Sequence, residues 1–407
     1  MSVESEHRGA VVSREAPARG IGPFILKRLL SRLSRGRLTV ILPSGGRIES
    51  AMRAPGPEAT LVLHNWRTFR RFAARGQVGF AEAYMAGEWS SSDPAALIEL
   101  AAINIERLEA ALSGFWPVRL ARRLTHARRA NTKKGSRKNI SFHYDLGNDF
   151  YRLWLDPSMT YSSAIFEPPT LSLEEAQDAK LARIGSWLDI GAAGTRILEI
   201  GCGWGALASK LAHMGAHVTG LTLSKEQLAF AQERIAREGM AERVDLRLQD
   251  YRDVVGQFDR IVSIEMLEAV GEQYWPVYFG AIKKHLVPGG VAVLQGITID
   301  EPRYEGYRAN PDFIQHYIFP GGMLPTKEIM AAQAKAAGLV LEKVESFGLS
   351  YAMTLAEWRR RFLAAWPAIE KMGFDTTFKR LWEYYLAYCE GGFRAGVIDV
   401  SLYRLRA

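Results

Sequence analysis

Cysteine is nearly absent. Cys202 and Cys389 are the only two in 407 residues, which excludes a disulfide framework and a four-cysteine zinc site. Long apolar runs are missing as well: no uninterrupted stretch reaches the ~18 residues that a membrane-spanning helix needs. Residues 1–20 mix charges with Gly and Pro and hold no apolar h-region, so they read as a flexible tail and imply a cytoplasmic protein. His213, His217, His285 and His316 lack metal-ligand spacing, and no metal site is expected. Acid is missing from two stretches, each densely basic. Lys27, Arg28, Arg32, Arg35 and Arg37 lie between 24 and 37, and nine cations from Arg119 to Lys138 form the second run. The whole chain is only +8, so these patches carry all of the excess and the remainder is net acidic. Such clusters suit an anionic surface, either lipid head groups or nucleic-acid phosphate.

What is present can bury a core: 48% of residues are hydrophobic and 24% charged, and at about 100 to 200 residues per domain the length implies two or three domains. Leu26, Leu29, Leu30 and Leu33 recur at helical spacing with Lys27, Arg28 and Arg32 opposite them. This is a short basic amphipathic helix that either lies on a membrane or packs within a small domain. A strand-like run, Leu38 to Leu42, ends at the turn Pro43-Ser44-Gly45-Gly46. The expected organisation is a tail (1–20), an α+β N-terminal domain (21–118), a basic linker (119–139) and a catalytic domain (140–407).

From about Thr195 strands and helices alternate. Arg196–Ile200, His217–Leu223, Val244–Leu248, Phe258–Ile264 and Val291–Ile299 read as strands, which implies a doubly wound α/β sheet. Ser224 and Gln227 have capping-box spacing at one of the intervening helices. In such sheets the ligand sits beyond the carboxyl end of the first strand. That place is held here by Glu199-Ile200-Gly201-Cys202-Gly203-Trp204-Gly205. The spacing lacks the third glycine of a dinucleotide fingerprint. With Glu199 two residues ahead of Gly201, it looks like the S-adenosylmethionine (SAM) loop of class I methyltransferases, and Asp250 stands where such enzymes often meet the adenine amino group.

Further motifs narrow the resemblance. His143-Tyr144-Asp145-Leu146-Gly147-Asn148-Asp149-Phe150, Leu155-Asp156-Pro157-Ser158-Met159-Thr160-Tyr161-Ser162-Ser163-Ala164 and Gly220-Leu221-Thr222-Leu223-Ser224 occur in order. They are followed by Gln249-Asp250-Tyr251-Arg252-Asp253, Tyr317-Ile318-Phe319-Pro320-Gly321-Gly322 and Arg361-Phe362-Leu363-Ala364-Ala365-Trp366. Together these resemble the cyclopropane fatty acid synthase family from about residue 140 to the C-terminus, and Tyr84-Met85-Ala86-Gly87-Glu88-Trp89 is similar to that family's N-terminal domain.

The resemblance implies a class I SAM-dependent methyltransferase (Rossmann-like) α/β domain preceded by the small α+β domain. It implies methyl transfer to a cis double bond of an unsaturated phospholipid acyl chain, giving a carbocation. A proton lost from the new methyl closes a cyclopropane; one lost from an adjacent chain carbon leaves an alkene or exo-methylene branch. The family's base is a bicarbonate held by a Cys, a Glu, a His, a Tyr and a backbone amide. These map to Ser163, Glu268, Gln295, Tyr351 and the amide of Ile297, with Ser163 and Gln295 departing from the family's Cys and His. Glu268, with Glu265 just past the fourth strand, holds the bicarbonate or acts as base; otherwise it is a carboxylate favoured by a helix N-terminus. Ser and Gln can still donate hydrogen bonds to an anion, so bicarbonate binding is retained as an expectation. The SAM contacts implied are Tyr144, Tyr161, Ser162, Glu199, Gly201, Gly203, Gly205, Thr222, Gln227, Gln249 and Asp250, with Gln227 either a capping residue or a ribose contact.

The region 300–394 holds 17 of the chain's 43 aromatic residues, which reads as a helical insertion forming a greasy acyl pocket over the sheet. The expected function is therefore cyclopropane formation on phospholipid acyl chains at the inner face of an anionic membrane, by an enzyme that resembles dimeric relatives. The alternatives are the same transfer without ring closure and, further off, N-methylation of a small amine. A nucleic-acid module explains the charge but leaves Glu268, Tyr351 and the aromatic region without a role.

Overall fold

The structure is a computed structural model that describes residues 21–108, 146–191 and 194–407. The tail 1–20, the basic stretch 119–139 and Tyr144 lie outside the described residues.

The N-terminal unit has four strands, β1 (Arg37–Ile41), β2 (Arg47–Glu49), β3 (Glu58–Leu63) and β4 (Trp89–Ser90), in the order β2-β1-β3-β4 with β1 and β3 parallel. Its helices are α1 (Ile21–Leu30), α2 (Arg67–Met85) and α3 (Pro94–Ile103). Asp93 starts α3 by accepting from the amides of Ala95 and Ala96, with Pro94 in the first turn, where its missing N–H costs nothing. Leu26 and Leu30 of α1, and Leu33 beyond it, are buried in the core, while Lys27 and Arg28 face outward. Of the two readings of this helix, the burial of Leu26, Leu30 and Leu33 favours the second, packing within its own domain.

The larger unit is a seven-stranded sheet built from β5 (Arg196–Ile200), β6 (His217–Thr222), β7 (Val244–Leu248), β8 (Phe258–Ile264), β9 (Leu286–Ile299), β10 (Val340–Ser346) and β11 (Ile398–Arg406). The order is β10-β11-β9-β8-β5-β6-β7, and β11 runs antiparallel to both its neighbours. From β5 the chain winds outward to β6 and β7, then returns to the other side for β8 and β9. The switch point thus falls at the carboxyl end of β5. Helices α4 (Leu173–Leu188), α5 (Ala206–His213), α6 (Lys225–Arg237) and α7 (Trp275–His285) cross between strands or cover the sheet. Ser172 and Glu175 form a reciprocal capping box at α4. At α6 only half of the expected box forms. Ser224 accepts from the Gln227 amide, but the Gln227 carboxamide oxygen accepts from the Thr222 hydroxyl instead of returning to Ser224.

Two sequence expectations change. The fifth strand begins at Leu286, ahead of the expected Val291, because the Pro288-Gly289-Gly290 segment stays within β9. The aromatic region is not one helical insertion: α8 (Lys327–Ala336) precedes β10, and the long pair α9 (Gly348–Lys371) and α10 (Thr376–Arg394) follows it. β10 is a largely exposed edge strand, so its sequence Val-Leu-Glu-Lys-Val-Glu-Ser carries little of the apolar signal of a central strand.

Aromatic packing joins these layers. The Phe150 ring, fully buried, lies within 6.4 Å of Tyr151, Trp154, Phe362, Phe374, Phe378 and Trp382. The N-terminal unit docks on α10 through Tyr84 and Trp89 against Tyr384. At Gly391 α3 comes so close that a Cβ would sit 2.7 Å from the Ala95 carbonyl oxygen and 2.9 Å from the Glu99 amide. Gly391→Val should therefore push α3 off α10 and cost about 1–3 kcal/mol as an overpacking change. Thermal unfolding and faster amide exchange in 94–103 would register it; unchanged exchange there would show that this contact does not hold the two units together.

Candidate active site

The glycine turn after β5 is shaped by hydrogen bonds. The amides of Gly201 and Cys202 both donate to the Leu221 carbonyl, and Gly201, Gly203 and Gly205 all have positive φ. A Cβ on Gly203 would meet nothing within 4 Å because that residue faces a cavity, so the turn presents bare backbone to whatever enters. Arg234 of α6, buried, clamps the entry segment to this turn by donating to the carbonyls of Pro157, Ser158 and Trp204.

The cavity has a volume of about 2290 Å³. Tyr161, Ser162, Glu199, Gly201, Gly203, Thr222, Gln227 and Gln249 line one end of it, so most of the expected SAM contacts share one wall. Two do not. Gly205 is turned toward α6, where a Cβ would touch Ala231 at 3.0 Å, and the Asp250 carboxylate lies outside the cavity lining and accepts from the Arg252 guanidinium at 2.6 and 2.8 Å. The Glu199 carboxylate is buried, and among the described residues its Oε2 has no partner. A bare glycine backbone beside an unpaired buried acceptor fits a ligand that brings its own donors, as the amino and hydroxyl groups of SAM would.

Farther along the cavity two carboxylates sit just past β8. Glu265 Oε1 accepts from the Ser163 amide at 2.9 Å and from Gln295 Nε2 at 2.7 Å, and Oε2 accepts from the Tyr351 hydroxyl at 2.7 Å. Glu268 Oε1 accepts from the Ile297 amide at 2.5 Å, while its Oε2, buried, has no partner among the described residues. Glu265, Glu268, Ile297 and Tyr351 line the cavity; Ser163 and Gln295 stand behind them. The Ser163 hydroxyl points away to the Ala164 carbonyl, so this residue brings its amide, and not its side chain, to the cluster.

Burial, then the neighbouring Glu265 charge, lifts the Glu268 carboxyl from 4.5 to about 8. Burial also lifts Glu265, opposed by its three hydrogen-bond donors and by Lys180. Lys180, reaching in from α4, is fully buried with Nζ 2.7 Å from the Ser162 hydroxyl; burial lowers it to about 8 against the attraction of Glu265, Asp156 and Glu199. Burial holds Tyr351 well above its ordinary value, so its hydroxyl stays a donor. The five positions expected to hold a bicarbonate are thus gathered in one place, but their donors are already engaged by protein carboxylates. With those donors taken, the residues as they stand do not fit a bound bicarbonate.

Sequence reading missed two participants. Lys180 lies within an ordinary amphipathic helix, and nothing in its neighbours in sequence marks it. Glu265 was noted beside Glu268 but given no part in the donor set.

A parallel-rich sheet with a glycine turn at its switch point, opening on a large cavity, defines a class I SAM-dependent methyltransferase. The structure superposes on a cyclopropane synthase of Mycobacterium tuberculosis with a TM-score of 0.63 and 33% identity over 67% of this chain and 98% of that one. It matches coclaurine N-methyltransferase with a TM-score of 0.63 at 19% identity, which speaks for the fold alone. The sequence model of the mycolic acid cyclopropane synthetase family matches residues 131–403, and the chain belongs to that family. It is 37% identical to a tuberculostearic acid methyltransferase of M. tuberculosis over 99% of this chain and 96% of the relative. It is 39% identical to the cyclopropane-fatty-acyl-phospholipid synthase of Escherichia coli over 85% and 87% of the two chains.

The raised Glu268 carboxyl has a sign that can be tested. Between 4.5, where the unfolded chain loses this proton, and about 8, the folded protein holds a proton that the unfolded chain has lost. Its stability therefore falls as pH rises through that window. Glu268→Gln has no such proton, so its melting temperature relative to wild type should climb steadily from pH 5 to pH 8. A difference independent of pH would mean that Glu268 is ionised throughout.

Proposed function

We propose that the enzyme transfers the methyl group of SAM to a carbon of a cis double bond in an unsaturated acyl chain of a membrane phospholipid. One observation carries this reading: the cavity runs without a break from the glycine turn, past Glu265 and Glu268, to an apolar end. That end is lined by Leu26, Leu30, Leu61, Phe69 and Phe80 of the N-terminal unit. A small amine needs no such greasy extension, and fatty-acyl relatives over most of the chain support the same substrate class.

In this reading the Gly201–Gly203 backbone, Glu199, Thr222, Gln227 and Gln249 bind SAM, and Tyr161 and Ser162 cover its amino-acid end. Gln249 takes the adenine side that Asp250, turned to Arg252, does not reach. The alkene π pair attacks the methyl carbon while the S–CH3 pair returns to sulfur, leaving a cation on the neighbouring chain carbon. The rings of Tyr161, Tyr351, Tyr385 and Phe393 surround that part of the cavity, where Tyr351 and Phe393 stack at 4.5 Å, and aromatic faces attract a cation. Loss of a proton from the new methyl gives the cyclopropane that the family leads one to expect. The nearly full-length match to a tuberculostearic acid methyltransferase favours a second outcome, a methylene or methyl branch.

Among the described residues no helix is long and apolar enough to cross a membrane. Access to phospholipid therefore calls for docking. Trp66, Arg67 and Arg70 are exposed at the start of α2, next to Phe69 and Phe72 in the lining of the cavity's apolar end. We place the membrane-facing side there. Arg67→Glu with Arg70→Glu should weaken partitioning onto vesicles of anionic phospholipid by about thirtyfold or more, at about 1 kcal/mol per cation removed, and leave SAM affinity unchanged; equal partitioning would move the docking face elsewhere.

The product is decided by expressing the protein in a bacterial host lacking its own cyclopropane synthase and analysing fatty acids by gas chromatography–mass spectrometry. An acid heavier by one CH2 is expected, and hydrogenation or NMR tells ring from branch. Absence of any such acid, with SAM bound, would exclude the common monoenes as substrates.

A further inference from the structure

The proton acceptor in this enzyme, we propose, is the Glu265 carboxylate itself, standing where an exchangeable anion would otherwise be held. This rests on the methyl-transfer reading above and goes beyond it by naming the base. Every donor available at that position is spent on a protein carboxylate: the Ser163 amide, Gln295 Nε2 and the Tyr351 hydroxyl on Glu265, and the Ile297 amide on Glu268. A bicarbonate entering here would meet the Glu265 charge with those four donors already engaged, an arrangement that disfavours it.

The three donors also fix what Glu265 can do. A carboxylate offers about four lone-pair sites, so three bonds leave about one on Oε2, and Glu265 lines the cavity. Ser163 and Gln295 hold it from behind, out of the cavity, which orients that oxygen and keeps it still. The backbone shows the same commitment. Glu265 has φ of 50°, a conformation that costs a non-glycine residue of order 1 kcal/mol or more and that turns this side chain back over the end of β8. Its own amide remains anchored to the Gln295 carbonyl at 2.8 Å.

The step balances without a co-reactant. After methyl transfer, Glu265 Oε2 takes a proton from the methyl or from the adjacent chain carbon. The released C–H pair fills the cation and becomes the new C–C or C=C bond. Glu265 is then a neutral carboxylic acid and loses its proton to water once product has left. Glu268, whose Oε2 has no partner among the described residues, stands next to it as a neutral acid and adds no second negative charge.

The test compares wild type, Glu265→Gly and Glu265→Gln with SAM and vesicles of unsaturated phospholipid, in carbon-dioxide-free buffer and in buffer with added bicarbonate. Glycine is at ease at positive φ, which offsets part of the cost of leaving three donors without their acceptor, so Glu265→Gly should fold, as thermal unfolding would check. Wild type is expected to turn over at a rate that bicarbonate changes by less than about twofold. Glu265→Gly should lose about 100-fold or more without bicarbonate, the scale of a lost general base, and recover part of it when bicarbonate is added. Glu265→Gln fills the same space without basicity and should lose as much with no recovery, while SAM affinity stays constant in both variants. Isotope-labelled bicarbonate, followed by NMR line broadening, should bind Glu265→Gly and not wild type. Stimulation of wild type by bicarbonate, broadening by wild type, or full activity of Glu265→Gly in carbon-dioxide-free buffer would each overturn the assignment. If wild type makes no methylated acyl product at all, the substrate reading fails instead, and the binding arm, which needs no lipid, still decides who occupies the anion position.

Discussion

Two carboxyl groups on the cavity wall and a buried ammonium group stand beyond the carboxyl ends of β5 and β8, and the cost of taking them largely out of water governs their surroundings. Removing an ionised group from water is tolerable only if hydrogen bonds and opposite charge replace the lost hydration. Glu265 meets that requirement with three donors and the nearby Lys180, whereas Glu268 keeps a proton. The donors come from four separated parts of the chain: the entry segment, the end of β9, the start of α9 and α4. The cluster can therefore form only when sheet, entry segment and aromatic layer are all in register. The chemistry and the packing are one constraint.

In the proposed reaction the rings that roof the site have a matching use. A cation on a hydrocarbon chain is poorly served by hydrogen-bonding groups, and water near it would end the reaction as an alcohol. Aromatic faces stabilise it without offering a nucleophile. The Tyr161 and Tyr385 hydroxyls satisfy each other at 2.8 Å, so these rings are buried beside the cavity without leaving a lone polar group in it. The apolar part of the cavity then continues into the N-terminal unit, whose leucines serve at once as that unit's core and as the channel wall.

Much of this was legible in the sequence. The five strands of the alternation and the glycine turn could be read because most of these strands are buried apolar runs between turn signals and the edge strand β7 still alternates apolar with polar, and β5 to β8 fall within a residue of where the pattern puts them. The edge strand β10 was not, since an exposed edge is free to be polar. Tyr351, Gln295, Ser163 and Ile297 were brought together as expected, yet the sequence could not say that Glu265 rather than Glu268 would gather three of them. The two acids are three positions apart, and the choice goes with a positive φ at one of them, which linear spacing does not encode. In the same way, the apolar stripe of α1 was readable but its partner was not.

The helical pair α9–α10 leaves the sheet at Ser346 and returns opposite it, where Phe347 donates to the Val400 carbonyl and Ser346 pairs with Ser401 across β10 and β11. A layer that departs from and rejoins adjacent strands can lengthen, shorten or change its inner face without altering the path of any strand that shapes the glycine turn. Donor binding and acceptor choice are thereby separable in descent except where Tyr351 and Tyr385 meet the carboxyl cluster and the entry segment. One half of the molecule can stay as it is while the other drifts toward new chains, and the N-terminal unit, seated on α10, is carried along with the half that drifts.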